Sequence, residues 1–149
     1  YVMNRNEVTE LIILQKQLKN LTWPQLAQAV GQSKEWTTAA LLGQMTLNAE
    51  QAKSVGDLLD LPVAAIAQLQ IVPYKGSLPT TVPTDPLIYR FYELISVYGS
   101  TFKALINEEF GDGIMSAIDF DMDLSRKEDP KGDRVKITMT GKFLPYKSY

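Results

Sequence analysis

Neither cysteine nor histidine occurs anywhere in the 149 residues. That double absence removes disulfides, thiolate nucleophiles, Cys- or His-ligated zinc, Fe–S clusters and the Ser-His-Asp triad. Any catalysis must use carboxylates, Arg, Lys, Ser, Thr, Tyr or backbone amides. Long apolar runs are missing too, since none approaches the roughly 20 residues of a membrane span. There is no signal-peptide pattern, and the chain opens on Tyr1 in place of Met, which leaves room for a removed segment or a tag scar. The expectation is a soluble protein, and the lack of cysteine fits the cytoplasm. Excess charge is missing as well: 15 Lys+Arg face 17 Asp+Glu, a net of −2. A chain so balanced is a poor general binder of polyanions.

What is present is ordinary globular material, 45% hydrophobic and 21% charged. Helical signals fill the first 70 or so residues. Val8, Leu11, Ile12 and Leu18 recur at helical spacing between Asn6 and Asn20. Thr22-Trp-Pro-Gln25 reads as a capping box with proline at the helix start, and Gly31 as the stop after Leu26, Ala27 and Val30. Ser33 caps a helix that ends at Gly43, Asn48 with Gln51 opens another, and Pro62 opens a last short one through Leu69. Four of the eight prolines then crowd into Pro73, Pro79, Pro83 and Pro86. The expected organisation is a helical bundle over 1–72, a Pro-rich linker over 73–86 and a second domain over 87–149.

In that second domain Asp85-Pro86 starts a helix to about Tyr98, Gly99 breaks it, and Thr101 to Phe110 forms a second helix stopped by Gly111-Asp112-Gly113. The period then becomes two. Ile114, Ser116, Ile118, Phe120, Met122 and Leu124 fall on one strand face, with Asp119, Asp121 and Asp123 on the other. After a turn over 128–133, Val135, Ile137 and Met139 alternate with Arg134, Lys136 and Thr138. An acidic strand face opposite a partly basic one favours cross-strand pairing. A lone hairpin is marginal in water, so this half is expected to complete its core with another subunit.

Within the first half, QLAQAVGQSKEWTTAALLG has the shape of a helix-turn-helix. Its candidate recognition helix carries one basic residue, Lys34, and no Arg or Asn to read bases. Residues 1–72 hold five Lys+Arg and six Asp+Glu, which weighs against nucleic acid as a partner. The three aspartates of the strand alternate as Ca²⁺ ligands do, but the rest of such a loop is missing, and they read as a wet strand face with no metal.

Chemistry is concentrated between Pro83 and Phe120. Arg90 and Glu93, three apart on one helical face, stand among Tyr89, Phe91, Tyr92, Leu94 and Ile95. Composition favours an exposed ion pair worth about 0.2–0.5 kcal/mol. The apolar surroundings leave a second reading open, a pair facing a polar cavity at an interface. Ser116 is either a buried serine satisfied by nearby backbone or part of an anion site, with the Gly111-Asp112-Gly113 turn as a nest of amides.

RFYELISVYGSTFKALINEEFGDGIMSAIDF closely resembles the C-terminal domain of the cyanases, also called cyanate hydratases or cyanate lyases. The similarity extends through VPTDPLIYRFYE and AALLGQ upstream and GKFLPY downstream, nearly the whole chain. The resemblance implies bicarbonate-dependent decomposition of cyanate to carbon dioxide and carbamate, which breaks down to ammonia and more carbon dioxide. It implies no metal or organic cofactor. It places the catalytic residues at Arg90 and Glu93 in YRFYE and Ser116 in GIMSAI, with Ile114 and Leu144 also beside the substrate anions. The implied fold is α+β: a helix-turn-helix (lambda-repressor-like) bundle, then a small domain of two helices and a β-hairpin forming an intertwined dimer. Five such dimers make a decamer with active sites between subunits. In that setting Arg90 binds and stabilises the anions, Ser116 orients them, and Glu93 positions Arg90 or relays a proton.

Overall fold

The computed structural model describes residues 2–149; Tyr1, first residue of the expected bundle, lies outside the described residues. The chain separates into one unit through Ser77 and another over Leu78–Tyr149.

The first unit holds five helices: α1 (Arg5–Leu18), α2 (Trp23–Val30), α3 (Lys34–Leu41), α4 (Ala49–Leu59) and α5 (Val63–Leu69). Capping sets most of the boundaries. Asn4 with Glu7, Thr22 with Gln25 and Asn48 with Gln51 each form a reciprocal capping box. Gly31, at φ 84°, ends α2 in a left-handed turn closed by its N–H on the Ala27 carbonyl. The Asn4 box starts α1 one residue before the expected Asn6. Val8, Ile12, Leu26, Val30, Leu41, Val55, Leu59 and Leu69 fill one core. Leu18, expected inside, is exposed at the last residue of α1.

Arg5 ties the start of α1 to the C-terminal end of α3. Its guanidinium donates to Thr9 Oγ1 at 2.7 Å and to the Ala40 and Leu41 carbonyls at 2.9 and 3.0 Å. A fixed cation thus meets the last carbonyls and negative dipole end of α3. Burial pushes the Arg5 pKa below its ordinary value.

Thr37, in the middle of α3, is fully buried and its hydroxyl has no partner among the described residues. An orphaned hydroxyl costs free energy on folding that a methyl does not. Thr37→Val is therefore expected to stabilise the protein by about 1 kcal/mol. A thermal or denaturant melt checks this, and a lower midpoint would show that the hydroxyl is satisfied after all.

The second unit is α6 (Pro86–Phe110) followed by the antiparallel strands β1 (Gly113–Lys127) and β2 (Arg134–Pro145). Asp85 caps α6 by accepting from the Leu87 and Ile88 N–H groups, both at 3.0 Å, and Pro86 takes the first turn. The expected break at Gly99 does not occur: one 25-residue helix stands where two were expected. A single glycine costs a helix about 1 kcal/mol relative to alanine. Without a proline beside it, propagation from the turns on both sides carries the helix through.

The strand pattern needs a second correction. Met115 pairs with Phe143 and Phe120 with Gly141, so residues 116–119 bulge out opposite Lys142 alone. The bulge reverses the alternation. Phe120, Met122 and Leu124 share a face with Met115 and with Ile137, Met139 and Phe143, while Ile114 and Leu144 pair on the opposite face. A period-two reading carried from Ile114 to Leu124 cannot detect inserted residues. The register also sets the acidic residues opposite threonines in place of lysines. Asp121 accepts from Thr140, and Asp123 faces Thr138.

At the hairpin tip Arg126 donates to Asp133 at 2.8 Å. That bond, with the Asp129 N–H, holds the Asp133 carboxyl below its ordinary range. Its contribution is present above the unfolded-state pKa and fades as pH falls through the depressed folded-state value. Both side chains are solvent-exposed, so the effect is small.

Candidate active site

Arg90 and Glu93 ride on the second and third turns of α6. The Arg90 guanidinium carbon lies 5.8 Å from the Tyr89 ring centre, and Tyr89 and Tyr92 sit 5.8 Å apart at a tilt. Among the described residues neither Arg90 nor Glu93 makes an ion pair or a side-chain hydrogen bond. The i,i+3 salt bridge that composition favoured is not formed. Nor is the pair buried, because α6 has no buried residue at all. Phe91, Tyr92, Leu94, Ile95, Tyr98 and Phe102 all face solvent in the single chain.

Ser116 has the opposite environment. It opens the β-bulge with only 5% of its surface exposed, the one buried polar residue of this unit. Its Oγ accepts from the Ile118 and Asp119 N–H groups at 3.0 and 2.9 Å. A serine hydroxyl has two acceptor positions and one proton. Both acceptor positions are occupied, and the hydroxyl donates to no group among the described residues. What it retains is a single oriented donor, polarised by two backbone amides. Of the two readings the sequence left open, satisfaction by local backbone is the one these bonds show. These amides were not legible in the sequence; an interrupted strand pattern does not say where a bulge closes.

One amide and two carbonyls of the Gly111-Asp112-Gly113 turn are engaged. The Gly111 N–H closes α6 on the Asn107 carbonyl, its carbonyl accepts from Asn107 Nδ2, and the Asp112 carbonyl accepts from the Tyr146 N–H. It ends a helix and starts a strand. Ile114 and Leu144 are brought together as direct cross-strand partners.

The five residues thus form two groups. Arg90 and Glu93 lie near the start of α6; Ile114, Ser116 and Leu144 lie near the base of the hairpin. Arg90 is 20 residues before the end of α6, about 30 Å along the axis. α6 packs along neither strand and meets the hairpin near its own C-terminus, where Phe110 stacks on Phe143 at 5.3 Å. A single chain does not bring the two groups together. Among the described residues no group of acidic side chains is arranged to hold a metal ion, and no helix is long and apolar enough to cross a membrane.

Two family models cover almost all of the chain. The one described as cyanate hydratase, N-terminal, matches residues 5–73, and the cyanate lyase C-terminal domain matches residues 80–148. A protein named cyanate hydratase from Dechloromonas aromatica is 76% identical over 99% of this chain and all of its own length. Another of that name, from Ralstonia pickettii, is 74% identical over the same shares. Among solved structures, a crystal structure of cyanase from T. urticae is 40% identical, covers 93% of this chain and 96% of its own, and superposes with a TM-score of 0.80.

Proposed function

Because this chain belongs to the cyanate hydratase (cyanate lyase) family and is thus a lyase acting on cyanate, we propose that it works as a bicarbonate-dependent cyanase whose active site is completed only between chains. The observation that carries the reading is the buried Ser116 hydroxyl, with both acceptor positions filled and its proton available. Such a donor suits an anion, and no acceptor among the described residues takes its proton.

Cyanate and bicarbonate repel each other, so the first task of the site is to supply positive charge where water is scarce. Among the described residues Arg90 makes no ion pair, and its fork can bind two anions side by side. Ser116 orients one of them by donation. Glu93, one turn along from Arg90, positions the guanidinium or relays a proton. Ile114 and Leu144 wall the anion site. With the anions held together, a bicarbonate oxygen bonds to the cyanate carbon and a proton moves to nitrogen. The bond from that oxygen to the bicarbonate carbon then breaks, releasing carbon dioxide, and one proton from solvent completes carbamate; a second solvent proton lets carbamate break into ammonia and carbon dioxide. Positioning and charge stabilisation carry this sequence, with no covalent bond to the enzyme. Ser116 is a poor nucleophile when amides occupy its lone pairs.

No metal or organic cofactor enters this reading, which the absence of histidine and cysteine supports. The partner of the second unit is further copies of the same chain. A 25-residue helix without a buried residue and a two-stranded sheet cannot stand alone in water. Their open apolar faces fit an intertwined dimer, with five dimers forming a decamer. The first unit serves assembly and does not bind nucleic acid, given its net charge of −1 over residues 1–72. The cytoplasm is the expected compartment for a chain with no disulfide to form.

Subunit mixing tests the shared site. Arg90→Ala and Ser116→Ala chains, each inactive alone, are dissociated, mixed and reassembled. Sites drawing Arg90 and Ser116 from different chains regain up to about a quarter of the original activity by random combination. No regain in mixed oligomers would mean that each site comes from one chain.

A further inference from the structure

Gly141 sits in β2 opposite Phe120, the first residue after the bulge. A Cβ at this position would fall well inside van der Waals contact with the Ser116 carbonyl oxygen and stand 2.7 Å from Met115 Cγ. The φ of Gly141 is not in the left-handed region, so backbone conformation does not call for glycine here. Close approach does: the bulge lies on the bare Cα of Gly141. The obstructed atom belongs to the backbone of Ser116, which cannot rotate away as a flexible side chain would.

We infer that Gly141 is a positioning residue for the reaction: by admitting the bulge it sets the Ser116 hydroxyl where the Ile118 and Asp119 amides hold it and its proton faces the substrate anion. This rests on Ser116 being the anion donor proposed above. A side chain at 141 would move Ser116 by an amount on the order of 1 Å, and such misplacement costs up to about a hundredfold in rate.

The test is a double-mutant cycle on kcat/KM for cyanate, using Gly141→Ala, Ser116→Ala and the double variant, each at the wild-type oligomer size. Gly141→Ala should lose roughly 10- to 100-fold and Ser116→Ala roughly 100-fold or more. The double variant should be no slower than Ser116→Ala, because the glycine acts through the serine. A merely structural glycine would give multiplied losses, and that result, or a Gly141→Ala enzyme at the wild-type rate beside a crippled Ser116→Ala, overturns the inference. Ser116→Ala at the wild-type rate would instead remove the anion-donor reading and the inference with it. Should Gly141→Ala fail to assemble, amide exchange in Ser116→Ala reads the same device. Exchange at Ile118 and Asp119 should quicken roughly tenfold while 135–139 stays unchanged; unaltered exchange at both amides overturns the inference.

Discussion

Arg90→Ala is expected to abolish turnover, lowering kcat/KM for cyanate by about a thousandfold or more, with the oligomer intact. The size of the effect follows from the substrates. Both are anions, and no fixed cation other than Arg90 belongs to the proposed site. Removing it leaves the mutual repulsion of cyanate and bicarbonate unopposed where water is scarce. The loss should appear in KM for both substrates as well as in kcat, since the charge acts on the bound anions and on the adduct formed from them. Assembly should survive, because among the described residues the guanidinium makes no ion pair and it lies beside the Tyr89 ring of its own chain. Arg90→Lys keeps the charge but loses the fork, and should recover only a small part of the rate. Steady-state kinetics with size measurement decides: an Arg90→Ala enzyme with most of its activity would contradict the mechanism.

Ser116→Ala is expected to cost about 100- to 1000-fold, the usual loss for one oriented donor in a water-poor site. This substitution also leaves the Ile118 and Asp119 amides without their acceptor. The bulge then loses its internal anchor, so the serine contributes both a proton and the shape of its own surroundings. Ser116→Cys separates these roles, since a thiol is a weaker donor and a weaker acceptor of nearly the same shape. It should fall between serine and alanine. If it instead matched wild type and carried a covalent adduct visible by mass spectrometry, Ser116 would be a nucleophile and the non-covalent scheme would be wrong.

Short-range features were the legible ones. The capping boxes at Thr22 and Asn48, the stop at Gly31 and the cap at Asp85 are each written within four residues, and each forms in the structure. Features that depend on what a segment meets were not. Gly99 looked like a break because its propensity cost is local, whereas the turns that outweigh it lie on both sides. The bulge at 116–119 was hidden because alternating residues look alike whether or not the ladder skips. Arg5 gave no signal, as its carbonyl partners are 35 and 36 residues away.

The candidate site divides the same way. Arg90, Glu93 and Ser116 stood out as polar residues in apolar company. The resemblance to cyanases joined them, and the relatives now make the family plain. Sequence did not show that Arg90 and Glu93 would be unpaired and exposed in one chain while Ser116 was buried and held by two amides. Those differences are what support the proposal of a site completed between chains. An exposed unpaired arginine on an apolar helix and a buried serine with an unused proton are each incomplete alone.

The most direct measurement follows ammonia released from cyanate by the assembled protein, with and without added bicarbonate. Ammonia should form only when bicarbonate is present, with two molecules of carbon dioxide for each ammonia. No release with bicarbonate, or equal release without it, would contradict the account.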